Sequence, residues 1–285
     1  MEEEIKKADV LIEALPYIRK FRGKVVVIKY GGSILAEDKI RKSVLEDIVF
    51  LSFIGLKPVL VHGGGPTISE RMRQMDKKTE FFEGMRVTDE KTLRVVEEEL
   101  EKLNSKIARE LESLGSKPVG VSGKEDIIFV RKKGGEKDLG FVGEITRINT
   151  KILKDYLLRN FIPVICPMGI DENKQLYNVN ADEVASSVSG ELQAEKLIIL
   201  TNVLGIMRIQ DDLQSLISTL NCEEAEQLVG EKIISEGMIP KVGACIYALE
   251  RGVKKTHIID ARIPHAILLE IFTDKGIGTE IVLGN

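Results

Sequence analysis

A lysine closes the apolar run Val25-Val26-Val27-Ile28-Lys29 and is followed at once by Tyr30-Gly31-Gly32-Ser33. Glycine lets backbone N–H groups approach a phosphate closely, and a following helix N-terminus favours negative charge, so a strand-glycine-helix passage is a candidate anion site. A second such passage is Val59-Leu60-Val61-His62-Gly63-Gly64-Gly65-Pro66. One alone reads as a structural turn. Two in consecutive units, one with a strand-end lysine, point to a polyanion, because an ammonium closing an apolar strand is unfavourable unless it meets a fixed anion. Lys241 poses the same question. In Gly237-Met238-Ile239-Pro240-Lys241 the proline suits a first helical turn, but a lysine there opposes the helix dipole and is a candidate for neutralising phosphate. In Asn178-Val179-Asn180-Ala181-Asp182, small polar side chains enter a helix, with Asp182 favourable in its first turn; this capping role is compatible with a catalytic one. Gly84-Met85-Arg86-Val87-Thr88-Asp89 sets an arginine before a capped helix, suited to bidentate capture of a carboxylate or to an ordinary ion pair.

Several chemistries lack their fingerprints. No GxxxxGK[ST] is present and no GxGxxG follows a strand, which disfavours a P-loop nucleotidase and a dinucleotide oxidoreductase. His62, His257 and His265 have no metal-ligand spacing, and Ser33, Ser122 and Ser189 sit in no nucleophile elbow. Cys166, Cys222 and Cys245 are odd in number and without a CxxC, so they read as small buried hydrophobes. With 41 basic and 45 acidic residues among 285, the net charge of −4 gives no footprint for nucleic acid, and an anionic ligand must be held locally. No apolar run is long enough for a membrane span, and the start resembles no signal peptide, so a cytoplasmic protein is expected.

The elements that must position these residues follow from periodicity. Val10, Leu11, Ala14, Leu15, Ile18 and Phe21 form one stripe of an amphipathic helix over Ala8 to Phe21, with Pro16 inside it. Strand, glycine turn and helix then occur twice within the first 75 residues, which predicts a doubly wound α/β sheet. A helix is predicted from Asp89 to Leu114, with Thr88 or Asp89 as its cap. Between Val119 and Ile148 short β-rich pieces suggest an antiparallel hairpin, after which alternation resumes to Phe272. A soft lobe boundary falls near Gly190 to Glu195.

Taken together and in order, the Lys29-Tyr30-Gly31-Gly32-Ser33, HGGGP, GMRVTD, NVNAD and GMIPK segments resemble the amino-acid kinase superfamily over nearly the whole chain. Within it they resemble the N-acetylglutamate kinases of arginine biosynthesis; the HGGGP, GMRVTD and GMIPK segments narrow it so. The resemblance implies a three-layer αβα sandwich with a mostly parallel central sheet, two lobes and an N-terminal helical extension. Residues 1–22 would be an interlacing helix, 23–190 a lobe for N-acetyl-L-glutamate and dimerisation, and 191–285 a lobe for ATP. Lys29 and Lys241 would stabilise the transferring phosphoryl group, oriented by Asp182. Gly64, Gly65, Arg86 and Asn178 would hold the acetylated amino acid, while Gly31, Gly32, Thr201, Asn202, Gly205 and Ser235 would serve the nucleotide, with Mg²⁺ carried by ATP and no metal cage. Asn202 stands where the family usually has Asp, and Ala261 where Gly is expected. The helical extension further implies a homohexamer, a trimer of dimers, inhibited by L-arginine bound near Tyr17, His265, Glu270, Gly276 and Gly278. A signalling-protein regulator is left open. Alternatives are a related acyl-phosphate kinase for N-acetylaminoadipate, aspartate or glutamate, a carbamate or nucleoside-monophosphate kinase of the same fold, and a non-catalytic arginine sensor.

Overall fold

The computed structural model describes residues 1–31, 37–209, 212–235, 237–273 and 276–284. Its strands in chain order are β1 (Val25–Tyr30), β2 (Lys57–His62), β3 (Phe81–Phe82), β4 (Met85–Arg86), β5 (Pro118–Val121), β6 (Ile128–Lys132) and β7 (Gly143–Ile148). They continue with β8 (Ile162–Ile165), β9 (Met168–Ile170), β10 (Leu176–Asn178), β11 (Lys196–Thr201), β12 (Thr219–Asn221), β13 (Lys255–Asp260) and β14 (Thr279–Val282). The α-helices among the described residues are α1 (Glu2–Phe21), α2 (Asp38–Phe53), α3 (Gly65–Gln74), α4 (Glu90–Ser113) and α5 (Thr150–Leu158). After them come α6 (Ala181–Glu191), α7 (Cys222–Gly230), α8 (Ile239–Glu250) and α9 (Ala266–Ile271).

Unbroken β-branched runs produce strands buried on both faces, as a parallel sheet requires. The main sheet has the order β12-β14-β13-β11-β1-β2-β8-β5, all parallel except that β12 and β14 run the other way. Alternate residues face opposite cores: Val26, Ile28, Leu60 and Ile198 pack with α2, α4, α9 and the end of α1, whereas Val27, Val59, Val61 and Leu197 pack with α5 to α8. This is the expected three-layer αβα sandwich. A smaller core joins α3 to α4 beneath the second glycine loop, through Ile68, Met72, Val96 and Leu100.

Details depart from the sequence reading. The first helix begins at Glu2 rather than Ala8, and Pro16 lies within it. Val119 to Val121 belong to the edge strand β5, parallel to β8, rather than to the hairpin region. The antiparallel β6–β7 hairpin is present, and β9 and β10 extend it to a four-stranded sheet in the order β10-β9-β6-β7. Those two strands have three residues each, too few for a period to register. Of the two expected caps of α4 it is Asp89 that serves, its carboxylate accepting the Thr92 N–H at 2.8 Å, as the sequence reading allowed. The segment near Gly190 to Glu195 joins α6 to β11, and β11 pairs with β1 from Val26↔Lys196 to Tyr30↔Leu200, so one sheet runs through both expected lobes. From β1 the order proceeds to β2 on one side and β11 on the other, which opens a crevice at the carboxyl ends of the parallel strands.

Candidate active site

Lys29 near the end of β1 and Asp182 in the first turn of α6 meet in that crevice, with Nζ 2.9 Å from Oδ1. Lys241, in the first turn of α8, places its Nζ 3.9 Å from Oδ2 of the same carboxylate and donates to the Gly237 carbonyl at 3.3 Å. Asn180 starts α6 here by accepting the Asp182 N–H at 2.7 Å. Burial works to raise the pKa of Asp182, but the charges of Lys29 and Lys241 outweigh it and hold the carboxyl below its ordinary value. Burial pushes the Lys241 ammonium down, against the pull of Asp182. One buried carboxylate thus fixes two ammonium groups.

Arg86 reaches the same crevice from the β3–β4 hairpin, where it faces Phe81 across the strands and carries its guanidinium 4.8 Å from the Phe81 ring centroid. It donates to the Gly65 carbonyl at 2.9 Å, to Ser69 Oγ at 2.8 Å and to Met72 Sδ at 3.7 Å. All three acceptors are neutral. Among the described residues this buried guanidinium has no carboxylate partner, and burial pushes its pKa down. Asn178, at the end of β10, donates to Thr88 Oγ1 at 3.3 Å, and Thr88 donates onward to the Arg86 carbonyl at 2.7 Å. A Cβ on Gly64 would stand 2.5 Å from the Leu100 side chain, which would have to shift to admit it.

These residues line a cavity of about 510 Å³, within the range of a small-molecule site. Its wall includes Lys29, Gly31, Gly64, Gly65, Arg86, Asn178, Asp182 and Lys241, together with Thr201, Asn202 and Ser235. Gly205, expected at the nucleotide, is not on that wall; a Cβ there would lie 2.5 Å from Thr279 Oγ1, so packing accounts for the glycine. Gly32 lies outside the described residues.

The residues expected at an arginine site are brought only partly together. A Cβ on Gly276 would lie 2.7 Å from the Glu270 carboxylate, which accepts the Ile277 N–H at 2.7 Å, and Gly278 lies in the same turn. Tyr17 packs edge-on against Phe272, just beyond α9, at 6.0 Å between ring centroids. His265, at the start of α9, is bound by Asp47 at 2.7 Å. Glu270 already holds His257, whose Nδ1 lies 2.6 Å from Oε1, while Lys196 Nζ lies 2.9 Å from Nε2. Because an ammonium only donates, Nε2 accepts and Nδ1 carries the proton to Glu270. Sequence reasoning missed Lys196 and His257 as members of this group; the available signal was a charged or polar residue on a strand otherwise buried on both faces.

Residues 24–260 match the model of the amino acid kinase family. The chain belongs to that family. Acetylglutamate kinase of Desulforamulus reducens is 47% identical over 281 residues, covering 98% of each chain. Among solved structures, N-acetylglutamate synthase from Neisseria gonorrhoeae with coenzyme A and N-acetyl-glutamate superposes with a TM-score of 0.88 at 28% identity, over 98% of this chain and 64% of the synthase chain. The same synthase with coenzyme A and L-arginine gives 0.85 at 26% identity, over 97% of this chain and 65% of that one. The family's fold and the segments that carried the resemblance therefore agree over nearly the full length of this amino acid kinase.

Proposed function

We propose that this cavity transfers the γ-phosphoryl group of MgATP to the side-chain carboxylate of N-acetyl-L-glutamate, in the biosynthesis of arginine. One observation carries the reading: two ammonium groups converge on a single buried carboxylate, beside a buried guanidinium that has only neutral partners among the described residues. The near full-length likeness to an acetylglutamate kinase supports it.

The acceptor carboxylate is ionised at neutral pH and needs no base. One of its oxygens bonds to the γ-phosphorus as the bond from phosphorus to the bridging oxygen breaks, and that electron pair leaves on ADP. No proton moves. Catalysis is then alignment and charge neutralisation. Lys29 and Lys241 supply the neutralisation, and Asp182 sets both ammonium groups. Arg86 and Asn178, with the Gly64 and Gly65 backbone, hold the acetylated substrate. Gly31 and Gly32 serve the phosphates, and Thr201, Asn202 and Ser235 serve the rest of the nucleotide, with Gly205 shaping their loop. On this reading Mg²⁺ enters as part of the nucleotide substrate, and Asp182 serves the two lysines.

On this reading residues 23–190 serve the acetylated substrate and dimerisation, and residues 191–285 serve ATP. Among the described residues no helix is long and apolar enough to cross a membrane; a cytoplasmic location belongs to this reading through the likeness to an acetylglutamate kinase. The exposed Val10, Leu11 and Leu15 of α1 support an interlacing role for residues 1–22 in a hexamer. The arginine complex of the gonococcal synthase supports feedback by L-arginine near Tyr17, His265, Glu270, Gly276 and Gly278. The decisive experiment measures ADP release with N-acetyl-L-glutamate, N-acetylaminoadipate, glutamate and aspartate. N-acetyl-L-glutamate is expected to give the highest kcat/KM by at least about tenfold, since the site is built for its polar groups. An equal rate with free glutamate overturns the reading.

A further inference from the structure

His62 ends β2 immediately before the second glycine loop and is fully buried, yet the transfer chemistry gives it no step. Its ring is engaged on both sides. Nδ1 lies 3.0 Å from the Gly63 carbonyl, which can only accept, so Nδ1 carries the proton. Nε2 is then a bare acceptor, and Asn104 Nδ2, on α4, lies 3.1 Å from it; the same amide nitrogen donates to the Val164 carbonyl at 2.7 Å, using its two hydrogens on two acceptors. Burial pushes the His62 pKa down to about 4, which keeps the ring neutral.

The consequence falls on one peptide plane. Gly63 gives its own N–H to the Tyr30 carbonyl at 2.9 Å, beside the first glycine loop, while its carbonyl is held by the His62 ring. A trans peptide directs its N–H opposite to its C=O, so the Gly64 N–H turns away from the ring. Among the described residues that N–H has no acceptor, and Gly63, Gly64 and Gly65 all line the cavity.

We infer that His62, as the neutral Nδ1–H tautomer held by Asn104, is a positioning residue that aims the Gly64 N–H into the cavity as a donor to the reacting anion. The inference rests on the phosphoryl-transfer reading above. It also ties the second glycine loop to the end of β1 through the Gly63 N–H and the Tyr30 carbonyl, so the donor is placed relative to Lys29.

Two substitutions separate positioning from bulk stability. His62→Asn places an amide nitrogen as many bonds from Cβ as Nδ1 and keeps the donor to Gly63, whereas His62→Gln reaches the level of Nε2 and keeps only an acceptor for Asn104. His62→Gln is expected to melt close to wild type with kcat lowered about 10²- to 10³-fold, the scale of one lost oxyanion donor. His62→Asn is expected to lose thermal stability but keep kcat within about tenfold of wild type. Losses of kcat that simply follow melting temperature in both variants overturn the inference. Where a variant fails to fold, a long-range ¹H–¹⁵N spectrum of the full wild-type chain decides: protonated Nδ1 and bare Nε2 are expected, and the opposite tautomer overturns it. If wild-type enzyme releases no ADP with N-acetyl-L-glutamate, the phosphoryl-transfer reading fails by itself, and the His62 assignment stands or falls on that spectrum.

Discussion

Lys29→Ala and Lys241→Ala should lower turnover alike and stability very unequally. The Lys29 and Asp182 side chains are 8% and 9% exposed and 2.9 Å apart, whereas Lys241 is 22% exposed and 3.9 Å away. At an effective dielectric of about 20 the gross attractions are about 6 and about 4 kcal/mol, but desolvation decides the net result. Removing Lys29 strands a buried carboxylate with only the more distant, better hydrated Lys241, and breaking a buried pair in this way costs about 3–5 kcal/mol. Removing Lys241 leaves the tight pair intact and takes away an ammonium that burial already disfavours, so it costs no more than about 1 kcal/mol. At about 2 °C per kcal/mol for a chain of this size, the melting temperature should fall by roughly 6–10 °C for Lys29→Ala and by no more than about 2 °C for Lys241→Ala. Each variant should lose about 10²- to 10³-fold in kcat, because each ammonium is aimed at charge developing on the transferring group. The pH dependence has a definite sign. Asp182 is held below the ordinary carboxylate range in wild type, whereas loss of the Lys29 charge lets burial raise it, so the stability gap for Lys29→Ala should be complete only above the variant's raised value and should close as pH falls from there through the lowered wild-type value. Scanning calorimetry and a coupled ADP-release assay measure both quantities. Equal losses of melting temperature, or more than about a tenth of wild-type kcat in either variant, would refute the reasoning.

Arg86→Lys keeps the charge but loses the planar guanidinium, whose Nη2 serves both Gly65 and Ser69 while its Nη1 reaches Met72, so KM for N-acetyl-L-glutamate should rise about 10- to 100-fold while KM for ATP stays nearly unchanged; equal rises for both substrates would take Arg86 out of the acceptor site. Asp47 is pushed up to about 6 by burial, against the pull of His265 and the Ile267 N–H, so its ionisation opposes folding progressively from about pH 4 to about pH 6. In chemical denaturation the stability of Asp47→Asn relative to wild type should therefore increase across that interval and level off above it, and a difference independent of pH would contradict the assignment. Deleting residues 1–16, which spares the buried Phe21, should leave an active dimer that does not respond to arginine; light scattering that still reports a hexamer, or inhibition by millimolar arginine, would count against the role of α1.

What sequence made legible was local. Lys29 stood out because a cation closing a buried β-branched strand is unfavourable without an anion, and Lys241 because it opposes its own helix. Arg86 stood out through residue type and its place before a capped helix. The convergence of the two lysines on Asp182 was legible only through likeness to a family, because it depends on α6 and α8 starting at the same crevice from distant parts of the chain. His62 with Asn104, and Lys196 with His257 and Glu270, are pairings between distant residues with no local period. The hairpin of β9 and β10 escaped for a different reason: three-residue strands are shorter than any window in which alternation can be counted. α7 did carry a readable start signal, the reciprocal capping box of Asn221 and Glu224.

The balance of charge in the cavity explains why a chain of net charge −4 suits two anionic substrates. Among the described residues on the cavity wall, Lys29, Arg86 and Lys241 face a single carboxylate, Asp182, so the site is locally positive within an acidic molecule. Three cations with no carboxylate would repel one another in a desolvated crevice and weaken folding, while a carboxylate for each would cancel the field that draws phosphate. Sharing one carboxylate between two lysines resolves both demands: it permits burial, and it leaves positive charge uncancelled. Helix placement reinforces this arrangement. Asp182 sits where the α6 dipole favours an anion, whereas Lys241 sits where the α8 dipole disfavours a cation, so the lysine's environment improves when negative charge arrives in front of it. The site is therefore most nearly balanced electrostatically when an anion is shared between acceptor and nucleotide, which is the charge distribution of the transfer itself.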